Sequence, residues 1–263
     1  MKKQTNRKPR RNTYKVDQKK RSPLSPTQLL VGVTISSILL LLGARYYYQQ
    51  EKVQEQWARE YKLLQERAHY KRLEYEQRWY AEPERQSTIL VHAQRYLEHT
   101  LSDSIFYYWY GTAYDFNGTT QQPKQGKIAC GYFVTTTLQQ LGFSLPRVAL
   151  AQQPASVILR TLCARKSIKV YKSLAALKKH MDAQEQGIYL IGLDTHVGFL
   201  WKTGRDWYIV HASQSGNNQV SKERWDQSTV LSRSRAFYVG DLLGSSDLIE
   251  TWVRGNAIPI AKK

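Results

Sequence analysis

The chain changes its hydrophobic period once. Up to about residue 184 apolar residues recur at helical spacings. From 188 onward they come in four short runs rich in aromatic and β-branched residues: IYLIGL (188–193), HVGFLW (196–201), WYIVH (207–211) and AFYV (236–239), each bounded by turn residues. Helices first and an antiparallel sheet after is the α+β pattern. Within the helical part, the stretch 128–143, IACGYFVTTTLQQLGF, sets Cys130 just ahead of Phe133, Val134, Thr137, Leu138 and Leu141, with Gly142 as the stop. Cys130 is therefore expected in the first turn of a helix. Unpaired N–H groups there favour an anion and would lower the thiol from its ordinary value of about 8.5.

The formal charge of +18 over 263 residues is uneven, since residues 1–21 hold ten Lys or Arg against one Asp. Residues 1–27 read as a disordered basic tail. Next comes the uncharged run 29–44, LLVGVTISSILLLLGA, followed by Arg45 and Tyr46, Tyr47 and Tyr48, which resemble an interfacial aromatic belt. Residues 28–48 are thus expected to form a transmembrane helix. The basic excess lies on the N-terminal side, which puts the tail in the cytoplasm and everything after Arg45 outside. No A-x-A-like cleavage site follows the run, so an anchor is favoured over a signal peptide. On the cytoplasmic face of the membrane the tail would meet anionic lipids. Nucleic acid is the lesser candidate for its partner.

Residues 49–85 carry no Gly or Pro before Pro83, and Trp57, Tyr61, Leu64, Ala68 and Tyr75 fall on one helical stripe, interrupted by Lys71. This reads as a helical stalk, either a seam for a homodimer or a solvated helix packing its aromatics locally. A domain over 86–263 follows. Ser87 can cap a helix burying Ile89, Leu90, Ala93, Tyr96 and Leu97, and 107–120 reads as a loop structured by its own rings. Pro154 suits the start of a helix that buries Cys163, and Ser173 caps one over 174–184. Two cysteines exclude a disulfide-rich scaffold and give no paired metal-ligand spacing, and no cofactor is implied.

Of six histidines, two are linked by geometry. If HVGFLW and DWYIVH form a hairpin turning at Thr203-Gly204, His196 stands opposite His211, with Cβ atoms about 4.5–5.5 Å apart. Gly198 and Leu200 then share their face, facing Ile209 and Trp207. Val197, Phe199, Trp201, Tyr208 and Val210 form the more apolar face. A helix-start cysteine with two facing imidazoles suits nucleophilic chemistry: Cys130 attacks a carbonyl carbon, one imidazole carries the proton, and a second polar group holds that imidazole. The Cys130 N–H can donate to the oxyanion. The rival use of these residues is as zinc ligands, with Asp194 as the fourth.

Five pieces in this order resemble the NlpC-type cell-wall cysteine peptidases: Tyr110-Gly111-Thr112-Ala113-Tyr114, Cys130 with Gly131-Tyr132-Phe133-Val134, Leu145-Pro146-Arg147 with Gln152, His196-Val197-Gly198, and His211-Ala212. The resemblance spans about 87–240. It implies a papain-like fold and cleavage of an amide bond in peptidoglycan stem peptides or another envelope substrate. It also implies Cys130 as nucleophile, His196 as base, His211 as orienting residue and Tyr114 lining the site. Ala129 stands where the family usually has Asp, and Gly131-Tyr132 where it has Ser-Gly. The family's means of reading its substrate is therefore not carried over. A thiol acyltransferase or amidase on the same fold is the alternative, as is a non-catalytic envelope scaffold with Cys130 bridged to Cys163.

Overall fold

A computed structural model describes residues 25–215 and 217–262, without the side chains of 28, 29, 31–33 and 36. The basic tail expected at 1–27 lies, through residue 24, outside the described residues. Two units divide the chain, one ending at Val53 and one beginning at Gln54.

The transmembrane helix expected at 28–48 is corrected: among the described residues no helix is long and apolar enough to cross a membrane. The physical reason is length and continuity. Sixteen uncharged residues rise about 24 Å as a helix, against about 30 Å of hydrocarbon. The run is also no separate element. It opens a helix, α1 (Pro26–Ala81), that carries charge from Arg45 onward.

The stalk is corrected as well. From Gln54 on, α1 belongs to the second unit, and Tyr61, Ala68, Tyr75 and Trp79 are buried there. Their partners come from far along the chain. Trp109 Nε1 donates to Tyr61 Oη at 2.7 Å, and the Tyr75 ring lies 5.9 Å from that of Trp252. Arg72 fills the gap in the stripe, with Nη1 2.9 Å from Glu76 and 3.5 Å from the Val253 carbonyl.

Helix α2 (Gln86–His99) runs into a π-helical turn (Thr100–Ile105) and α3 (Phe106–Trp109). Strands β1 (Ala113–Tyr114) and β2 (Lys127–Ile128) precede α4 (Cys130–Gln140), α5 (Arg147–Ala151) and α6 (Ala155–Leu162). Then come β3 (Lys169–Tyr171), α7 (Leu174–Asp182, capped by Ser173), β4 (Gly187–Gly192), β5 (Val197–Thr203), β6 (Asp206–Ser213) and β7 (Gln219–Arg224). The order ends with α8 (Thr229–Arg233), β8 (Phe237–Asp241) and α9 (Ser246–Val253).

The fold is α+β, with a mixed eight-stranded sheet in the order β2-β1-β7-β6-β5-β4-β8-β3. This corrects the expected papain-like plan of helices followed by an antiparallel sheet. Strands β1 and β2 pair in parallel, and β1, β2 and β3 interleave with the helices. Two apolar clusters cover the sheet. The larger joins Val197, Phe199, Val210 and Ala212 to α1, α2, α4 and α9; the smaller joins Leu200, Ile209 and Trp207 to Leu177, Met181 and Leu231.

In the β5–β6 hairpin Leu200 pairs with Ile209 and Thr203 with Asp206, so the turn is Gly204-Arg205, one residue later than expected. Gly204 has φ +60° and Arg205 does not share it, the pattern of a type II′ turn, whose first central position calls for glycine. Every β5 residue thus faces a β6 residue two places further on than expected. Because side chains alternate with period two, an even shift leaves both faces unchanged.

Candidate active site

Cys130 is the first residue of α4, and Ala129 before it is extended. The loop ahead of it is pinned: Ala129 N–H donates to the Gly118 carbonyl at 2.9 Å, and Lys127 Nζ lies 3.2 Å from Asp115. Arg147 ties the loop to α4, donating to Thr136 Oγ1 at 2.7 Å and to the Thr119 carbonyl at 2.6 Å. On the other flank α5 ends against the first turn of α4. A Cβ on Gly131 would sit 2.2 Å from the Ala151 carbonyl oxygen, so only glycine allows this approach. The obstacle is backbone and cannot swing aside. Gly131→Ala is therefore expected to cost about 1–3 kcal/mol or more of stability, read by denaturant unfolding, and to displace Cys130.

His196 precedes β5, and His211 is fully buried on β6. The register places them diagonally rather than directly opposite, on one face. His196 Nε2 lies 2.8 Å from His211 Nδ1, with the rings 84° apart. Gly198 makes the space, since a Cβ there would fall 2.9 Å from His211 Cβ. On the far side of His211, Nε2 is 3.2 Å from Glu223 Oε1, an ion-pair distance without the alignment of a straight hydrogen bond. Glu223 comes from β7, where His211 pairs with Ser221. Ser221 Oγ donates to the same Glu223 oxygen at 3.1 Å. The His211 N–H first, then the charge attraction to that ring and the Ser221 and Ser228 hydroxyls, hold the Glu223 carboxyl below the usual range.

Cys130 and His196 line one cleft of about 190 Å³, whose other walls include Gly131, Ala151, Ala155, Ile158 and Val197. Burial pushes the Cys130 thiol up; the backbone N–H groups of Val197, Gly131 and Cys130 itself offset only part of this. The lowering expected from the helix start is thus outweighed by desolvation. His196 keeps some exposure at the cleft, yet its ring is closely surrounded. Burial first, and then the neighbouring His211, hold it well below the ordinary imidazole range, with Glu223 pulling the other way. Both groups are therefore neutral at rest near pH 7. Burial penalises a lone thiolate and a lone imidazolium alike, so proton transfer from Cys130 to His196 would create the two charges as a pair.

Tyr114, on β1, is near enough to Cys130 for the thiol's charge to add to the burial that raises its phenol. Gly111, at φ +83°, turns the chain out of α3 so that β1 pairs with β7. Asp194 stands at the cleft mouth, where its carboxylate accepts the Arg235 N–H at 2.8 Å. Among the described residues no three His, Cys, Asp or Glu side chains converge as a metal set. Both cysteines are free, and Cys163 is buried against Gly240.

Four residues singled out from the sequence thus gather here: Cys130, His196, His211 and Tyr114. Glu223 was not foreseen, because QVSKER reads as polar and charged. Its alternation becomes visible only once the segment is known to be a strand. Compared with known proteins, the chain matches no family model, no curated protein and no solved structure.

Proposed function

We propose that the protein is a cysteine hydrolase that cleaves an amide bond, with Cys130 as nucleophile, His196 as base and His211 as the residue that orients it. The observation that carries this reading is the 2.8 Å contact between the two imidazoles, one of which shares a cleft with a helix-start cysteine. As Sγ attacks the carbonyl carbon, His196 takes the thiol proton. The Cys130 N–H faces the oxyanion. The C–N bond then breaks, and His196 returns the proton to the departing amine. Water, deprotonated by the same imidazole, releases the acid from the thioester. The sequence resemblance makes peptidoglycan stem peptides the first substrate to try.

The test is alkylation of the full chain with iodoacetamide, followed by peptide mapping. Cys130 is expected to label about tenfold or more faster than Cys163 at pH 7, because it has a base beside it and access from the cleft. His196→Ala is expected to remove most of that difference. Equal, slow labelling of both cysteines, or a rate indifferent to His196, overturns the reading.

A further inference from the structure

We infer that Glu223 is a positioning residue of this site: through His211 it fixes which nitrogen of His196 is free to take the proton of Cys130. The inference rests on the hydrolase reading for its catalytic meaning, but its geometry stands by itself. An ionised carboxylate only accepts hydrogen bonds. His211 Nε2 is fully buried and makes no straight hydrogen bond among the described residues; the polar atom facing it is Glu223 Oε1, at 3.2 Å. The hydrogen between these atoms therefore belongs to His211. We take His211 as a neutral imidazole, which carries one N–H, so its Nδ1 is bare and accepts. It lies 2.8 Å from His196 Nε2, which must then donate. That leaves His196 Nδ1 bare as its only basic nitrogen.

The chain of contacts fixes direction as well as identity. With both hydrogens reversed, a buried His211 would present a bare Nε2 to the carboxylate, two acceptors facing each other, which leaves the Nε2 without a donor. When His196 gains the thiol proton, its positive charge lies one imidazole away from the Glu223 carboxylate. Ser221 keeps that carboxylate in place from the same strand. Glu223 is not among the residues that line the cleft, so it acts on His196 through its contact with His211 and through its charge.

The tautomers can be read directly in the full chain labelled with ¹⁵N-histidine, because protonated and bare ring nitrogens resonate far apart. Assignment comes from single His→Gln variants. In the wild type both His196 and His211 are expected to carry hydrogen on Nε2 and to be bare at Nδ1. A His211 protonated on Nδ1 instead overturns the inference, and this measurement needs no variant at Glu223. In Glu223→Gln the Nε2–H form of His211 should lose its exclusive population, and Cys130 alkylation should slow by about tenfold or more, as loss of the carboxylate behind a catalytic imidazole does elsewhere. Glu223→Asp, which keeps the charge, should restore part of both. A folded Glu223→Gln protein with unchanged tautomers and an unchanged rate overturns the inference. Slow labelling of wild-type Cys130, by contrast, would sink the hydrolase reading while leaving the tautomers to decide the role of Glu223.

Discussion

Cys130→Ser is expected to abolish amide cleavage while leaving the fold intact. The substitution changes one atom of a side chain at the first position of α4 and leaves the backbone and nearly all of the volume as they are. Chemistry, by contrast, should fall by about a thousandfold or more, as removal of a nucleophile does in other hydrolases. The reason lies in the resting state. Burial holds His196 well below its usual range and so makes it a weak base. A thiol can still give up a proton to it as Sγ attacks; an alcohol, far less acidic, cannot. Incubation with purified peptidoglycan, followed by quantification of released amines, gives the activity. The far-ultraviolet circular dichroism and unfolding midpoint give the fold. Full amine release by a well-folded Cys130→Ser protein would remove Cys130 from the mechanism.

How much of this site the sequence discloses depends on what each pattern encodes. The histidine pair was legible because strand faces depend only on parity: the hairpin turn lies at Gly204-Arg205 rather than Thr203-Gly204, yet His196 and His211 stay on one face. The start of α4 was legible from its apolar spacing and from Gly142, which has φ +94° just past the helix end. Strand β7 was not, because Val220 is its one buried residue and its pairing with β6 and β1 overrides a polar composition. Glu223 was missed with it. Strands β1, β2 and β3, of two or three residues each, are too short to show a period. The stripe Tyr61, Leu64, Ala68, Tyr75 gave the right helix and the right face, but periodicity does not say what covers a face. Here it is Trp109 and Trp252, brought in from distant sequence. The membrane expectation rested on a run at the edge of spanning length.

His196→Gln is expected to act twice, on reactivity and on the pH dependence of stability. Glutamine fills much of the same space but offers no base, so amide cleavage should drop by about a thousandfold or more and the advantage of Cys130 over Cys163 in alkylation should go with it. The stability effect follows from the same burial. Folded His196 has its pKa lowered, by desolvation first and by His211 second. An unfolded imidazole titrates near about 6.5. Below that pH the unfolded chain binds a proton that the folded chain refuses, so the native state loses stability as the pH falls. The slope approaches about 1.4 kcal/mol per pH unit for one such group. The Glu223 carboxyl, also lowered, adds stability above about 4.3 that is lost further down, so its window lies below most of that of His196. Urea unfolding at pH 7.5, 6.5 and 5.5 should therefore show the wild type weakening by about 1 kcal/mol more than His196→Gln over the last interval. Parallel curves for the two proteins would mean that folded His196 takes up its proton as readily as an exposed imidazole. In that case the neutral thiol–imidazole pair at rest, and the general-base mechanism built on it, would give way to a preformed ion pair.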